Sequence, residues 1–293
     1  MTSAAIIQPF GSHDEIIPSL YRECVKFFDK VDIFIPESLF ENRGNIFRDL
    51  GIEASINFFK DGRKGIQSIR KRIDKSGYDL AVIATFSNYL KNLDKPTIRV
   101  IHNADREIGR TKEGEIKYDP KARYIVLGEF VKNYLINNDP NFQWEDNVEV
   151  LYPFYFGEIE SSPEFSRPIN LTAIGRINGT KKYMPLLDSI RKNKDFLSDN
   201  GFTFTIIGSS GNIYENFRDA VKDKNLTGFF RFVPENQETQ VTSGVVVGNV
   251  KASDFLLPLT SGGYYNEKKI SATYSWGVGL GIPFINNCCE AED

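Results

Sequence analysis

Two doubly wound α/β domains of parallel sheet are what this sequence predicts, and three observations carry that reading. Short apolar runs bounded by turn residues recur along the 293 residues with helical patterns between them. Strands alternating with helices imply parallel sheets covered on both faces. The pattern is interrupted around Gly157-Glu-Ile-Glu-Ser-Ser-Pro-Glu-Phe-Ser-Arg-Pro168, where prolines, adjacent serines and polar residues read as an interdomain linker. Just beyond it, Ile169-Asn-Leu-Thr-Ala-Ile-Gly-Arg-Ile-Asn-Gly-Thr-Lys-Lys-Tyr183 reads as a strand, a loop and the start of a helix. The expected organisation is an N-terminal Rossmann-like domain over 1–157 and a C-terminal one over 158–293. Ligands of such sheets bind outside the carboxyl ends of the strands, so the active site is expected in the cleft between the domains.

In the first half, strands are expected at Ala4–Gln8, Val31–Ile35, Ser55–Phe59, Leu80–Thr85, Thr97–His102, Tyr124–Leu127 and Val148–Leu151. In the second half they are expected at Asn170–Gly175, Thr203–Gly208, Phe230–Val233, Phe255–Pro258 and Pro283–Asn286. After the first strand, Ser12 and Glu15 have the spacing of a capping box. Ile16, Ile17, Leu20, Cys24, Phe27 and Phe28 then repeat at helical intervals. This places Gly11, Ser12, His13 and Asp14 on the rim of the expected cleft, beside the positive end of a helix dipole.

Composition narrows the function classes. Hydrophobic content of 41% and charged content of 26% are those of an ordinary globular protein. A net charge of −3 supplies no concentrated positive field, which argues against nucleic acid as the main partner. The three cysteines, Cys24, Cys288 and Cys289, make no disulfide framework, and the first residues carry no export signal. A reducing, cytoplasmic setting is the expectation. A basic helix from Arg63 to Ile73 is amphipathic; it reads as a solvated face packed through Ile66, Ile69 and Ile73, with peripheral contact to an anionic membrane as the alternative.

The central loop is a candidate phosphate site. Gly175 and Arg176, Gly179, and Lys181 and Lys182 line the passage where a helix begins. Backbone N–H groups, a guanidinium and an ammonium suit a diphosphate. The alternative is a surface loop with solvated charges. Only two histidines occur, His13 and His102, and both fall at predicted strand ends on the same side of the N-terminal sheet. A histidine there can accept a proton from an attacking hydroxyl or hydrogen-bond a sugar or phosphate oxygen. Local capping is the alternative for each.

Further along, Gly208 and Ser209 form a glycine turn after a strand, and Phe232, Val233 and Pro234 end the next one, where backbone groups can read the edge of a base. A plain core strand is the alternative there. A loop with Tyr264 and Tyr265 leads to a helix start where Lys268, Lys269 and Ser271 can grip the diphosphate from a second side; an ordinary amphipathic helix with a solvated basic end is the alternative. No His/Cys/Asp/Glu set has metal-ligand spacing, and neither a Gly-x-Ser-x-Gly elbow nor a Walker loop is present.

At these residues the chain resembles the GT-B glycosyltransferases, most nearly the retaining, sugar-nucleotide-using family 4. Ala173-Ile-Gly-Arg-Ile-Asn-Gly-Thr-Lys-Lys182 is similar to the family's diphosphate loop, and Val100-Ile-His-Asn103 to its His-Asp strand end beside the donor sugar. Ala252-Ser-Asp-Phe-Leu-Leu-Pro258, followed by Gly-Ile-Pro283, is similar to its C-terminal signature. The family's spaced pair of glutamates falls near Lys268 and Trp276 and is absent unless Glu267 supplies one, and the chain lacks the long last helix that crosses back to the first domain. Short enzymes of microbes and large DNA viruses share this glutamate-poor pattern.

The resemblance implies a metal-independent transferase without a cofactor, moving a sugar from a nucleoside diphosphate donor, UDP-linked by preference, to a hydroxyl of a glycan or glycoconjugate. Arg176, Lys181 and Lys269 would neutralise the leaving diphosphate. His13, oriented by Asp14, would be the base of an inverting displacement, with His102 and Asn103 on the donor sugar or its phosphate. A sugar-nucleotide 2-epimerase and a non-catalytic nucleotide-sugar-binding subunit are the other readings.

Overall fold

The computed structural model describes residues 1–11, 13–85, 87–109, 117–140, 142–152, 168–179, 181–208, 213–234, 241–260 and 271–285. The expectations for Ser12, Ser209, Tyr264, Tyr265, Lys268, Lys269, Cys288, Cys289 and most of the linker lie outside them. The chain divides into two compact units, with the described residues of the first ending at Tyr152 and those of the second starting at Pro168.

The first unit is a 7-stranded sheet built from β1 (Ser3–Ile7), β2 (Lys30–Pro36), β3 (Ser55–Phe59), β4 (Leu80–Ile83), β5 (Thr97–Ile101), β6 (Arg123–Val126) and β7 (Val148–Val150). Its order is β3-β2-β1-β4-β5-β6-β7, and every pairing is parallel. Every side chain of β1 after Ser3 is buried, as a strand covered on both faces requires. The chain first builds outward from β1 to β3, then returns to the other side of β1 with β4. That reversal makes the carboxyl ends of β1 and β4 the switch point of the sheet.

The helix Gly62–Lys75 shows why the basic passage packs. Ile66, Ile69 and Ile73 fall on one face and enter a cluster with Ala5, Ile7, Phe34 and Ile83. Burying each is worth roughly 1.5–3 kcal/mol. Arg70 and Arg72 stay at the rim, bonded to the Tyr89 and Asn92 carbonyls and to Asn57.

The second unit is a 4-stranded parallel sheet of β8 (Ile169–Ile174), β9 (Phe202–Ile207), β10 (Phe230–Val233) and β11 (Phe255–Leu256), in the order β10-β9-β8-β11. Its switch point lies between β8 and β11. Of the strand expected at Pro283–Asn286, Asn286 lies outside the described residues; among the others, Phe284 forms a parallel bridge with Leu256, held by Leu256 N–H to Pro283 O at 2.8 Å and Ile285 N–H to Leu256 O at 3.0 Å. The core is aromatic, with Tyr183, Phe204, Tyr214 and Phe217 buried and Phe230 and Phe232 packed against them.

Candidate functional site

Chemistry-bearing side chains gather at both switch points. In the first unit β1 leads to His13, which has φ 65° and ψ 36°, followed by a 3-10 turn Asp14–Ile16 and the helix Ile17–Cys24. A left-handed backbone on a non-glycine residue is strained by roughly 1–2 kcal/mol, and it bends the chain sharply over the end of β1. Phe27, expected on the helix's buried face, lies beyond the last turn and is exposed.

The bend brings His13 Nδ1 to Glu15 Oε1 at 3.1 Å, with the ring about one-third exposed and the carboxylate buried. A carboxylate only accepts, so Nδ1 carries the proton of this bond and the lone pair of the neutral ring lies on Nε2. Burial alone would raise the Glu15 carboxyl; the His13 hydrogen bond and the charges of His13 and His102 outweigh it and bring it down to about 2. The expected orienting role of Asp14 is corrected by this geometry. Asp14 is buried and turns to Arg43 Nη2 at 3.5 Å, and burial pushes its carboxyl up against the pull of that guanidinium. Glu15, expected to close a capping box with Ser12, is the carboxylate on the histidine.

His102 follows β5 directly. Its ring centroid is 4.3 Å from that of His13, with the planes tilted by 34°. His102 Nε2 lies 2.8 Å from the Ala84 carbonyl just past β4, and since a carbonyl only accepts, this nitrogen is the donor. The cluster therefore spans the ends of β1, β4 and β5. Asn103 turns away to cap the 3-10 turn Ala104–Arg106 through Asp105 N–H at 3.1 Å. Gly11 is exposed, and an added Cβ there would make only ordinary contact with Ser38. Metal-ligand spacing that the linear sequence lacks is produced by folding: the ligand atoms of His13, Glu15 and His102 all lie within 4.8 Å of one another.

In the second unit β8 ends at Ile174, and Gly175 takes φ 116°, a region that side chains disfavour; a Cβ there would also sit 3.0 Å from Lys181 Nζ. Lys181 is buried, pairs antiparallel with Thr260, and donates from Nζ to the Ile174 carbonyl. Thr273 Oγ1 donates to the same carbonyl at 3.1 Å. Ser271 caps the helix Ala272–Leu280, accepting from Thr273 N–H at 3.4 Å and donating to Thr273 Oγ1 at 3.2 Å. A buried ammonium and the first turn of a nine-residue helix thus meet at the end of β8. Arg176 projects into solvent next to them. A groove of about 220 Å³ opens beside this loop, lined by Lys182, Pro185, Leu186, Ser189, Leu259 and Thr260 among others.

Gly208 lies where two backbones touch: a Cβ would fall 2.1 Å from the Gly175 carbonyl oxygen. Its N–H donates to the Val233 carbonyl at 3.0 Å. Phe232 packs on Phe217 and lies under the Arg218 guanidinium at 5.2 Å, so its ring belongs to the core; Pro234 follows a cis peptide bond and is half-buried.

Sequence reasoning missed Glu15 as a partner of His13, Thr273 as a partner of the β8 end, and Ala84 as the anchor of His102. The closeness of Glu15 to His13 in sequence was a usable signal. The other two depend on strand order and carried none.

No family model matches the chain, and no curated protein matches it in sequence. Solved structures do match. The lipopolysaccharide outer core galactosyltransferase WaaB, in its apo form, superposes with a TM-score of 0.55 at 13% identity, over 98% of this chain and 80% of that one. The UDP-GlcNAc 2-epimerase from Methanocaldococcus jannaschii gives 0.53 at 11% identity, over 98% and 83%. The ADP-heptose lipopolysaccharide heptosyltransferase II from E. coli gives 0.52 at 13% identity, over 98% and 84%. At these identities the likeness is one of fold: mixed α/β units with parallel sheets, of the GT-B glycosyltransferase type.

Proposed function

We propose that this protein transfers a sugar from a nucleoside diphosphate sugar, UDP-linked by preference, to a hydroxyl of a carbohydrate acceptor, with inversion and without a metal ion. The observation that carries the reading is the His13–Glu15 pair at the switch point of the first sheet. Glu15 holds the Nδ1 proton, so Nε2 of a partly exposed ring is available to take the proton of an attacking hydroxyl. The oxygen attacks the anomeric carbon, the bond from that carbon to the diphosphate breaks, and the diphosphate leaves with the electron pair. The charge that grows on it is met by Lys181, the first turn of Ala272–Leu280 and Arg176. Lys269 and the tyrosines Tyr264 and Tyr265 are assigned to the same donor, and Gly208, Ser209 and the backbone of Val233 to the nucleoside.

A sugar-nucleotide 2-epimerase is the second reading, and Glu15 favours it: a buried carboxylate beside two histidines is acid/base machinery that needs no acceptor. The two are separated by products. UDP- and GDP-sugars are screened by thermal shift in EDTA, and the best donor is then incubated alone and with glycan acceptors. Transfer supports the proposal; epimerised donor without acceptor supports the second reading; a donor that stabilises the wild type and the Arg176→Ala and Lys181→Met variants equally removes the diphosphate assignment.

A further inference from the structure

His13 and Glu15 carry a relationship that proton transfer does not use. Zinc holds nitrogen and oxygen ligands at about 2.0–2.1 Å in a tetrahedron, which sets neighbouring donor atoms ~3.3 Å apart. His13 Nδ1 and Glu15 Oε1, at 3.1 Å, already match one edge of that figure. The third donor is His102, whose ligand atom lies within 4.8 Å of both. One of its ring nitrogens is anchored on the Ala84 backbone carbonyl, the kind of outer contact that histidine ligands commonly have. Two imidazoles and one carboxylate select a borderline divalent ion of the zinc, cobalt or nickel class over magnesium or calcium.

We infer that His13 Nδ1, Glu15 and His102 form a binding site for one such transition-metal ion, with a fourth position left to solvent. The ion takes the place of the proton between His13 and Glu15. The displaced Nδ1 proton is taken up at Nε2, so the imidazole stays neutral overall. With Nε2 protonated, His13 no longer accepts a proton from a hydroxyl. Resting on the reading above, this makes the ion an inhibitor of the base, held by the residues that perform the chemistry in its absence.

The test is a titration of the full chain with Zn2+ by calorimetry and with Co2+ by visible absorption, on the wild type and on His13→Ala, His102→Ala and Glu15→Gln. Circular dichroism checks that each variant is folded, and Glu15→Gln keeps the side-chain volume should His102→Ala fail to fold. One ion per chain at micromolar affinity or tighter is expected, with a Co2+ ligand-field band that is lost, and an affinity that falls at least tenfold, in each folded variant. No binding below millimolar ion, or equal binding by wild type and Glu15→Gln, overturns the site. Donor binding and transfer are measured in EDTA, so failure of the titration is distinct from failure of the transferase reading.

Discussion

The two switch points solve opposite problems. At the first, two histidines and a carboxylate can exchange protons, and they stand on a strained backbone turn. At the second, a fixed positive charge is tied into the fold: the Lys181 ammonium sits on the Ile174 carbonyl, and Thr273 shares that acceptor. The first is suited to changing its charge and the second to keeping it. A further contrast lies inside the first unit. Glu15 and Glu107 are both buried, yet Glu15 falls to about 2 beside two histidines, while burial pushes Glu107 up to about 7 although Arg99 lies 4.0 Å away. Burial alone does not decide a carboxylate's state; the number and closeness of its donors do.

The largest expected effect breaks the first switch point and spares the second. His13→Ala lowers the transfer rate by about 10²- to 10⁴-fold while the affinity for the donor stays within twofold; steady-state kinetics beside donor calorimetry read both. Should donor affinity fall instead, the division of labour is wrong.

Glu107 sharpens the contrast between the two carboxylates. Below about pH 4.5 folded and unfolded chains both hold its proton; from there to about 7 the unfolded chain has released it and the folded chain keeps it, so stability falls as pH rises. Integrated over that window the loss is roughly 3 kcal/mol. Denaturant melts at pH 5 and pH 8 should show it in the wild type and not in Glu107→Gln. Glu15 has the opposite sign: its stabilisation is fully present above about 4.5 and is lost as pH falls toward 2.

In the second unit, Gly208→Ala drives a methyl group into the Gly175 carbonyl and costs about 1–3 kcal/mol, with donor affinity reduced along with the midpoint of unfolding. A Tm equal to that of the wild type would mean that the two loops are not in contact in solution. The smallest effect is expected of Thr273→Val, which removes one of two donors to the Ile174 carbonyl and costs about 1 kcal/mol, measurable as a shift in the denaturant midpoint at constant slope.

The strands were legible because burial on both faces writes itself as apolar runs, and Ser55–Phe59 and Phe230–Val233 were found to the residue. The last strand was less so: among its described residues Pro283 offers a carbonyl but no N–H, and Phe284 makes one bridge to Leu256. His13, His102, Gly175 and Lys181 were legible as ends of strands and turns. Their partners were less so, because hydrogen bonding to His13 depends on a left-handed φ that no composition signal marks, and the Thr273–Ile174 bond joins residues 99 positions apart. The Ser12–Glu15 capping-box spacing also hid a second partner open to Glu15: the same short reach that lets a glutamate bond back to a cap lets it bond a histidine two residues earlier.

The placement of β11 beside β8 also sets a timetable. The described strands of the first sheet all come from residues 3–150, so it can close while the later chain is still being made. The end of β8 receives Thr273 from 99 residues downstream, and Lys181, which shares the Ile174 carbonyl, pairs with Thr260. During synthesis the proton-handling end therefore takes shape first, and the fixed-charge end becomes whole only when the helix Ala272–Leu280 arrives.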